Sequence, residues 1–524
     1  MLLLSLKMHA NQAIHSKTLA PFGGTYMYRH NEKQLKFVAF QLPFGGNLLA
    51  SNRWVRLGQM IPWGQFEASY CSNLSKRGQG PPAFSVRMAL AALIIKERLG
   101  VTDEECIEQI QENPYLQYFC GLKEFTTEPP FHPTMFVHFR KRFPADVLSR
   151  INEVIVAKAV ESDVKENKDD PDDLDDPTSS NKGKLLLDAT CVPADITYPT
   201  DLKLLNSARE KSEQIIDTLH KSRGRGHKKP RSYRVKARKG YLAVAKSKKV
   251  NRSKLRKAIR GQLGYVRRNL SNIDQLSRSA KLQALSSRQY RDLLVISELY
   301  RQQQWMYEHK SHRIDDRIVS ISQPHVRPIK RGKAGSDTEF GAKVSVSLVD
   351  GYGFVDRVSW DNFNECLDLQ DQVEAYRRRF GVYPESVHAD RIYRTRDNLR
   401  YCRKHHIRLS GPRLGRPPKV VPEDKERLRL EALQARQDEL DRIPIEGKFG
   451  QGKRRFGIGR LMTKLASTSK TAIALCFLVM NLEKWLQAIL LCLFFKERKA
   501  LIQHYMNSLL QSLPSIQMMA YDKH

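Results

Sequence analysis

Apolar side chains recur at intervals of three and four residues between about residues 85 and 160, as in the run from Val86 to Leu93. This spacing places the apolar groups on one face of a helix. Glycine and proline separate the successive segments, at Gly100, Pro114, Gly121 and Pro144. We therefore expect a helical amino-terminal domain, which we place at residues 27–160.

One segment of this domain, Thr134–Phe143, carries a cluster of polar and basic side chains near one end, namely His138, Arg140, Lys141 and Arg142. Two hypotheses fit this cluster. The segment is a recognition helix that contacts DNA, or it is a packing helix whose basic side chains face the solvent. The sequence does not distinguish between them.

Residues 161–183 are acidic, interrupted by proline and almost free of large apolar side chains. Such a segment cannot offset the conformational entropy that folding removes. We expect an acidic flexible linker here. At the other end of the domain, the residues before Met27 show no clear periodicity, so residues 1–26 form an uncertain leader and Met27 is the better start.

Helical spacing returns between about residues 202 and 318, and this region contains a very basic stretch from Lys221 to Lys257 that lacks acidic residues. Gly224, Gly226 and Pro230 argue against one continuous helix through that stretch. We expect a basic helical insertion at residues 202–318, with a segment that stays mobile until it meets phosphates.

Strand-like sequence stands on both sides of the insertion. A turn signal at Asp350–Gly353 separates two alternating runs, which predicts a hairpin. The runs that fit strands are residues 184–190, 340–349, 353–360, 386–393 and 407–410. Helical segments alternate with the later strands, so the order predicts a mixed α/β fold. We assign residues 184–201 and 319–495 to this domain and residues 496–524 to a carboxy-terminal tail.

The composition indicates a polyanionic partner. Lysine and arginine number 89 against 56 acidic residues, a formal net charge of +33, and each phosphate that a cation neutralises releases counterions. Nucleic acid is the first hypothesis. A membrane surface is the alternative, but the basic residues are spread over many segments and form no single amphipathic face.

Two further features bound the class of protein. The apolar runs 472–480 and 486–495 are each too short to span a bilayer, so we expect core helices and no membrane partner. The eight cysteines form no CxxC pair and no spacing typical of a zinc site or a disulfide framework. We therefore expect the cysteines to be reduced and mostly buried thiols, and the protein to be cytoplasmic.

Three carboxylates stand where a strand or helix changes from apolar to polar: Asp188, Asp390 and Glu446. Strand ends of an α/β sheet gather ligands, with a further ligand from a helix, and carboxylates are the ligands that hard divalent cations prefer. Asp195 and Asp201 compete with Asp188 for the first position, but both lie past Pro193 in irregular sequence.

Basic residues flank the third carboxylate. Arg442 lies one helical turn before Glu446, and Lys453 lies two turns after it on the same face. Arg454 and Arg455 follow directly. A carboxylate flanked by cations suits a site where a metal ion and phosphates bind together. His388, two residues before Asp390, is expected to pack or to support the site rather than to bind metal.

Several motifs together resemble the DDE transposases of bacterial insertion sequences, in particular insertion-sequence family five and its relatives. The motifs are Phe84–Leu90, Leu187–Thr190, Val326–Lys333, Glu339–Lys343, His388–Tyr393 and the helix that carries Glu446. The resemblance implies a ribonuclease H-like catalytic core in which Asp188, Asp390 and Glu446 bind two Mg²⁺ ions, with Mn²⁺ as a substitute. It also implies that Arg442 and Lys453 match the arginine and the lysine of the family's signature. Where that signature has a tyrosine, this sequence has Glu439.

The resemblance implies an enzyme that cuts DNA at the element's terminal inverted repeats and joins the ends to target DNA. A homodimer on DNA is expected because two ends must be held together, and a bacterial, nucleoid-associated location follows. Besides the cations that flank Glu446, we expect DNA contacts from Arg223, Arg225, Lys228, Lys229 and Arg231. Two alternatives stay open, a metal-dependent nuclease or resolvase on the same fold and a catalytically decayed DNA-binding repressor.

Overall fold

The computed structural model describes residues 39–42, 46–74, 82–166, 181–224, 226–278, 282–333, 336–412, 415 and 425–512. The leader, the start at Met27, most of the acidic linker and Arg225 lie outside the described residues. The chain divides into two compact units. The first comprises Met1–Thr178, Asp350–Gly353 and Leu475–His524, and the second comprises Ser179–Val349 and Phe354–Ala474.

The first unit is helical, as the apolar spacing predicts. Ser85 caps one helix by accepting a hydrogen bond from the Met88 amide at 3.1 Å, and Gly100 ends it with a φ of +68°. The helices before the linker are α1 Arg53–Met60, α2 Glu67–Cys71, α3 Val86–Leu99, α4 Asp103–Glu112, α5 Pro114–Cys120, α6 Met135–Arg142 and α7 Ala145–Glu166.

Helix α6 contains the basic cluster for which the sequence leaves two hypotheses. The Arg140 guanidinium forms a salt bridge with Asp103, and the Arg142 guanidinium donates a hydrogen bond to the Tyr70 hydroxyl at 2.9 Å. His138 and Lys141 are exposed. Two of the four polar side chains therefore hold the helix in its own unit, which favours the packing hypothesis.

The predicted helical insertion consists of four long helices in the second unit. They are α8 Asp201–Ser222, α9 Arg234–Ala245, α10 Arg252–Ser277 and α11 Ser287–Glu308. Helix α8 ends just before Gly224 and Gly226, whose φ angles are +82° and +100°. The break that the glycines predict is therefore present. Leucine, isoleucine and valine side chains from α8, α10 and α11 form one buried core.

A six-stranded mixed sheet forms the rest of the second unit. Its strands are β1 Lys184–Pro193, β2 Arg327–Lys333, β3 Ser336–Val349, β4 Tyr352–Ser359, β5 Ser386–Ala389 and β6 Arg408–Leu409. They lie in the order β2-β3-β1-β5-β6, with β4 also paired to β3. Strand β1 is antiparallel to β3 and parallel to β5, and β5 is parallel to β6. The predicted hairpin and mixed α/β architecture are confirmed.

Close pairing of β1 with β3 depends on Gly341, which lies opposite Pro193. A Cβ atom at Gly341 would lie 2.1 Å from the Val192 carbonyl oxygen. No side chain fits at that distance, so the absence of a Cβ allows the two strands to meet here.

The remaining helices are α12 Leu369–Phe380, α13 Arg396–Lys404, α14 Lys425–Arg455 and α15 Ala466–Ser512. Helix α14 continues through Pro444. Within α15, residues 466–505 are long and apolar enough to cross a membrane by length and composition alone, but half of their most apolar window is buried in the structure. Such burial is typical of core helices, and Ile473, Phe477 and Leu478 are almost fully buried.

Candidate active site

The register of two parallel strands brings the first two predicted carboxylates together. Leu187 of β1 pairs with Ala389 of β5, and Asp188 and Asp390 are the next residue on each strand. Asp390 is exposed and its carboxylate accepts a hydrogen bond from the Arg391 amide at 2.7 Å. Asp390 directly follows β5, and Asp188 lies level with it in the middle of the longer strand β1, so the two aspartates are neighbours where β5 ends. Asp188 is therefore not at the end of its own strand, because β1 continues to Pro193 in its pairing with β3.

The third carboxylate comes from α14, which packs against β1 and β5. Ile445 and Phe449, one turn apart, are its buried contacts next to Glu446. Two ion pairs fix the helix to the strands. Lys184 contacts Asp441 at 2.7 Å, and one guanidinium nitrogen of Arg408 lies 2.8 Å from both oxygens of Asp438.

All three predicted carboxylates line one open cleft of about 550 Å³. Basic side chains share its walls with them. Its polar and charged lining is Asp188, Thr190, Lys330, Lys343, Glu365, Asp390, Arg442, Glu446 and Lys453. The structure thus assembles at one place the residues that the sequence predicts from three separate segments.

Burial shapes the electrostatics of Asp188. Burial, together with the nearby charges of Glu365 and Asp390, raises the pKa of this carboxyl to about 6. The Ala189 amide, which donates a hydrogen bond to the carboxylate at 2.8 Å, and the Arg442 charge oppose the rise in pKa. Asp188 is therefore a carboxylate that carries its charge at a cost, which a cation in the cleft would offset.

The cations of α14 lie as the helical spacing predicts. Arg442 forms a salt bridge with Glu446 at 3.3 Å, and the two side chains are 29% and 58% exposed. Lys453 lines the same cleft. Arg454 and Arg455 are exposed at the end of the helix, and the Arg455 guanidinium lies 5.6 Å from the centroid of the Phe456 ring.

The residues present fit a hard divalent cation by their chemistry. Four carboxylates face the cleft, and carboxylate oxygens are the ligands that Mg²⁺ prefers. Burial, and then the charges of Glu365 and Asp390, raise the pKa of Asp188, so a cation in the cleft would stabilise its charged form. Among the described residues, no group of three or more histidine, cysteine, aspartate or glutamate side chains already lies close enough to hold a metal ion.

Comparison with protein families gives two matches. Residues 387–483 match a family described as Transposase DDE domain, and residues 46–142 match a family described as Transposase domain. Two separate segments of the chain are thus similar to transposase families. The resemblance to the transposases of bacterial insertion sequences is confirmed. The DDE domain match includes Asp390, Arg442, Glu446 and Lys453, whereas Asp188 lies outside both matched regions.

A relative shows how far the similarity extends. The chain is 30% identical over 150 residues to "Uncharacterized protein ORF8 in nfe locus" of Rhizobium meliloti. This alignment covers 29% of the chain and 66% of that protein, slightly less than two thirds of its length. No solved structure matches the chain significantly.

The sequence did not predict Glu365 and Lys343 as residues of the cleft. Glu365 opens a short 3-10 helix after β4, and its carboxylate lies 3.7 Å from the Lys343 ammonium. Lys343 also donates a hydrogen bond to the Phe363 carbonyl at 2.8 Å. Asn364, which caps the helix, was the available signal, but a capped turn alone does not place a carboxylate in a cleft.

Asp195 and Asp201, the alternatives to Asp188 as the first carboxylate, lie outside the cleft. Asp195 forms a salt bridge with Arg460, and Asp201 forms one with Arg317 at 2.7 Å. Neither lines the cleft. His388 is fully buried, and its Nε2 lies 3.0 Å from the Ser386 hydroxyl. Burial lowers the pKa of His388. Its contacts are those of a packed residue, as expected.

The basic loop of the insertion is partly described. Lys228, Lys229 and Arg231 are exposed, whereas Arg223 is half-buried at the end of α8. Lys229 contacts Asp217 at 2.7 Å, so part of its charge is already neutralised within the insertion. The loop is therefore accessible to a partner, with fewer unpaired charges than the sequence alone indicates.

Proposed function

We propose that this protein is a DNA transposase that cuts at the ends of an insertion sequence and joins them to target DNA by two-metal-ion chemistry. One observation carries the proposal. Asp188, within β1, and Asp390, directly after the neighbouring parallel strand β5, line one cleft with Glu446, Arg442 and Lys453. This is an acidic centre with cations at its rim, inside a chain of which two separate segments are similar to transposase families.

We further propose that the second unit contains a ribonuclease H-like core. The order of the strands supports this: β3 runs antiparallel to β1, and β5 and β6 continue on the other side of β1 in parallel. A helix that carries the third acidic residue packs on that sheet. The helical insertion at residues 202–318 interrupts the core between β1 and β2. We assign residues 184–201 and 319–495 to the core, of which Asp350–Gly353 and the residues from Leu475 onward group with the first unit.

In this proposal Asp188, Asp390 and Glu446 hold two Mg²⁺ ions, which Mn²⁺ can replace. When bound, such ions activate an attacking oxygen and stabilise the leaving oxygen of a phosphodiester. Asp188 enters the reaction deprotonated. Arg442 exchanges its contact with Glu446 for a phosphate oxygen, and Lys453 contacts the strand two helical turns beyond Glu446 on the same face of α14.

DNA is the partner in this scheme. The helical domain at residues 27–160 and the basic loop with Arg223, Arg225, Lys228, Lys229 and Arg231 would bind the terminal inverted repeats, and Arg454 and Arg455 would contact the strand that enters the cleft. Two ends must be held together, so a homodimer on DNA is expected, in the bacterial cytoplasm and near the nucleoid. The net charge of +33 supports a polyanionic partner.

A strand-transfer assay separates a transposase from a nuclease on the same fold. Purified protein, paired duplexes that carry the element's ends and Mg²⁺ are mixed with a target plasmid. We expect cut ends and joined products, because the released 3′-hydroxyl attacks in the same cleft. Cutting without joined products would instead support a nuclease, and binding without cutting would support a decayed repressor.

A further inference from the structure

Helix α10, Arg252–Ser277, has a solvent face with an unusual composition. Its buried face carries Leu263, Val266 and Ile273. On the opposite side, Gly264 lies in the middle of a basic row. Lys257 and Arg260 precede it by seven and four residues, and Arg267 and Arg268 follow it by three and four residues. Residues at these spacings share a face.

Gly261 and Gly264 interrupt this basic face, and no contact within the described residues requires a glycine at either position. A glycine in a helix interior is less stable than alanine by about 0.5–1 kcal/mol. A Cβ atom added at Gly261 or Gly264 would meet nothing within 4 Å. Neither glycine is needed for a turn or for close packing with another helix, so the reason for them lies in something that approaches from outside.

The flanking cations are available to such a partner. Among the described residues, no carboxylate pairs with Lys257, Arg260 or Arg267, and the three side chains are exposed. The Arg268 guanidinium is held 4.6 Å from the centroid of the Tyr233 ring. A line of bare backbone between rows of cations is complementary to a chain of phosphates.

We propose that this face of α10 binds the sugar–phosphate backbone of duplex DNA, and that Gly261 and Gly264 let phosphates reach the helix surface. The inference rests on the proposed function for its ligand and adds a binding surface outside the cleft and the basic loop. From Lys257 to Ser271, the exposed positions of α10 on this face carry no aromatic or large apolar residue, and the adjacent Tyr233 ring already contacts the Arg268 guanidinium. Unpaired bases would need aromatic stacking, and a membrane would need apolar anchors.

Gly264→Gln tests the proposal by adding a neutral side chain that favours helix. Binding to a labelled duplex of arbitrary sequence is measured without divalent ions, so that no cutting occurs. We expect an unchanged or higher melting temperature and an affinity about tenfold lower, because the side chain displaces a charge-assisted phosphate contact. The matched control is Ser297→Gln on the exposed face of α11, which should bind DNA as the wild type does.

A second variant keeps the test decisive if Gly264→Gln misfolds. In the double variant Arg260→Gln and Arg267→Gln, two lost phosphate contacts should flatten the slope of log affinity against log salt by about 1.8. An unchanged slope, wild-type binding by Gly264→Gln, or tighter binding of single-stranded than of duplex DNA overturns the inference. Wild-type protein that binds duplex but never cuts ends contradicts only the proposed function. Normal cutting with unaffected variant binding contradicts only this inference.

Discussion

Asp188 both lines the cleft and has a raised pKa. It follows three buried leucines on β1, and it is the first side chain of that strand to face the cleft. Burial and two neighbouring carboxylates raise its pKa to about 6. A side chain proposed to bind metal thus has a charge that the protein alone stabilises poorly, which is typical of a functional site.

The raised pKa predicts a pH dependence for metal binding. Metal binds the carboxylate form, and the folded protein holds a proton on Asp188 below about pH 6. Affinity should therefore be constant at higher pH and fall as pH drops through 6, by about tenfold per unit when one proton competes with the metal. Calorimetric titration with Mn²⁺ between about pH 5 and pH 8 measures it. A constant affinity across that range would contradict the assignment of Asp188.

Glu365→Gln sharpens this prediction. Removing the neighbouring negative charge takes away one cause of the raised pKa, so the midpoint should move to lower pH. Glu308→Gln on α11 removes an equal charge away from the cleft and is the control. A midpoint that moves equally in both variants would mean that overall charge, and not Glu365, governs the titration.

At the scale of elements, local sequence patterns predicted most of the fold. The hairpin of β3 and β4, the end of α12 at Gly381 and the break before Gly224 all follow from turn chemistry that acts over a few residues. These turn signals are reliable because glycine easily adopts the backbone conformations with positive φ that the turns need. These features needed no knowledge of tertiary contacts.

Helix α14 shows where local patterns are insufficient. Pro444 and the glycines around Glu446 weaken a helix by propensity, yet the helix is continuous from Lys425 to Arg455. Ile445 and Phe449 bury against the sheet, and such packing outweighs propensity. Spacing within the helix predicted Arg442 and Lys453 correctly as neighbours of Glu446, because that spacing is local.

Glu365 could not be predicted in the cleft for the opposite reason. Its place depends on the fold of the segment after β4 and on its contact with Lys343 from another strand. No periodicity in the sequence encodes a contact between Lys343 on β3 and Glu365, which lies 22 residues later, beyond β4. The proximity of Asp188 and Asp390 also depends on a tertiary property, the register of β1 and β5. The family resemblance implied that the two residues act together.

Gly341→Ala tests whether strand pairing supports the site. A Cβ atom at 2.1 Å from the Val192 carbonyl forces β1 and β3 apart. We expect a loss of about 1–3 kcal/mol in the free energy of unfolding, as in other overpacked sites, together with reduced cleavage. Denaturant unfolding measures the first. Gly240→Ala, where an added Cβ meets nothing within 4 Å, is the control and should be neutral or stabilising. Equal stability of the two variants would refute the argument.

At the scale of the whole molecule, the net charge of +33 favours contacts with phosphates that do not depend on base sequence. We propose that the basic loop of the insertion supplies some of them. Arg223, Lys228 and Arg231 are described residues with no ion pair to a described carboxylate, whereas Lys229 already contacts Asp217. The loop should therefore contribute somewhat less than its five cations would indicate.

Neutralising the loop tests this role. Changing Arg223, Arg225, Lys228, Lys229 and Arg231 to glutamine should weaken binding to end DNA and to scrambled DNA alike, and it should flatten the salt dependence of both. Fluorescence anisotropy across a salt series measures the slopes. A loss confined to end DNA would show that these residues read bases, and an unchanged slope would show that they do not touch phosphates.

The central claim is that Asp188, Asp390 and Glu446 form one metal-dependent catalytic centre. The most direct measurement compares Mg²⁺-dependent cleavage of end DNA with binding of the same DNA for Asp188→Asn, Asp390→Asn and Glu446→Gln. Asp195→Asn is the matched control, because Asp195 pairs with Arg460 outside the cleft. The account predicts that each of the three abolishes cleavage while binding persists, and that the control cuts normally. More than trace cleavage by any of the three would contradict it.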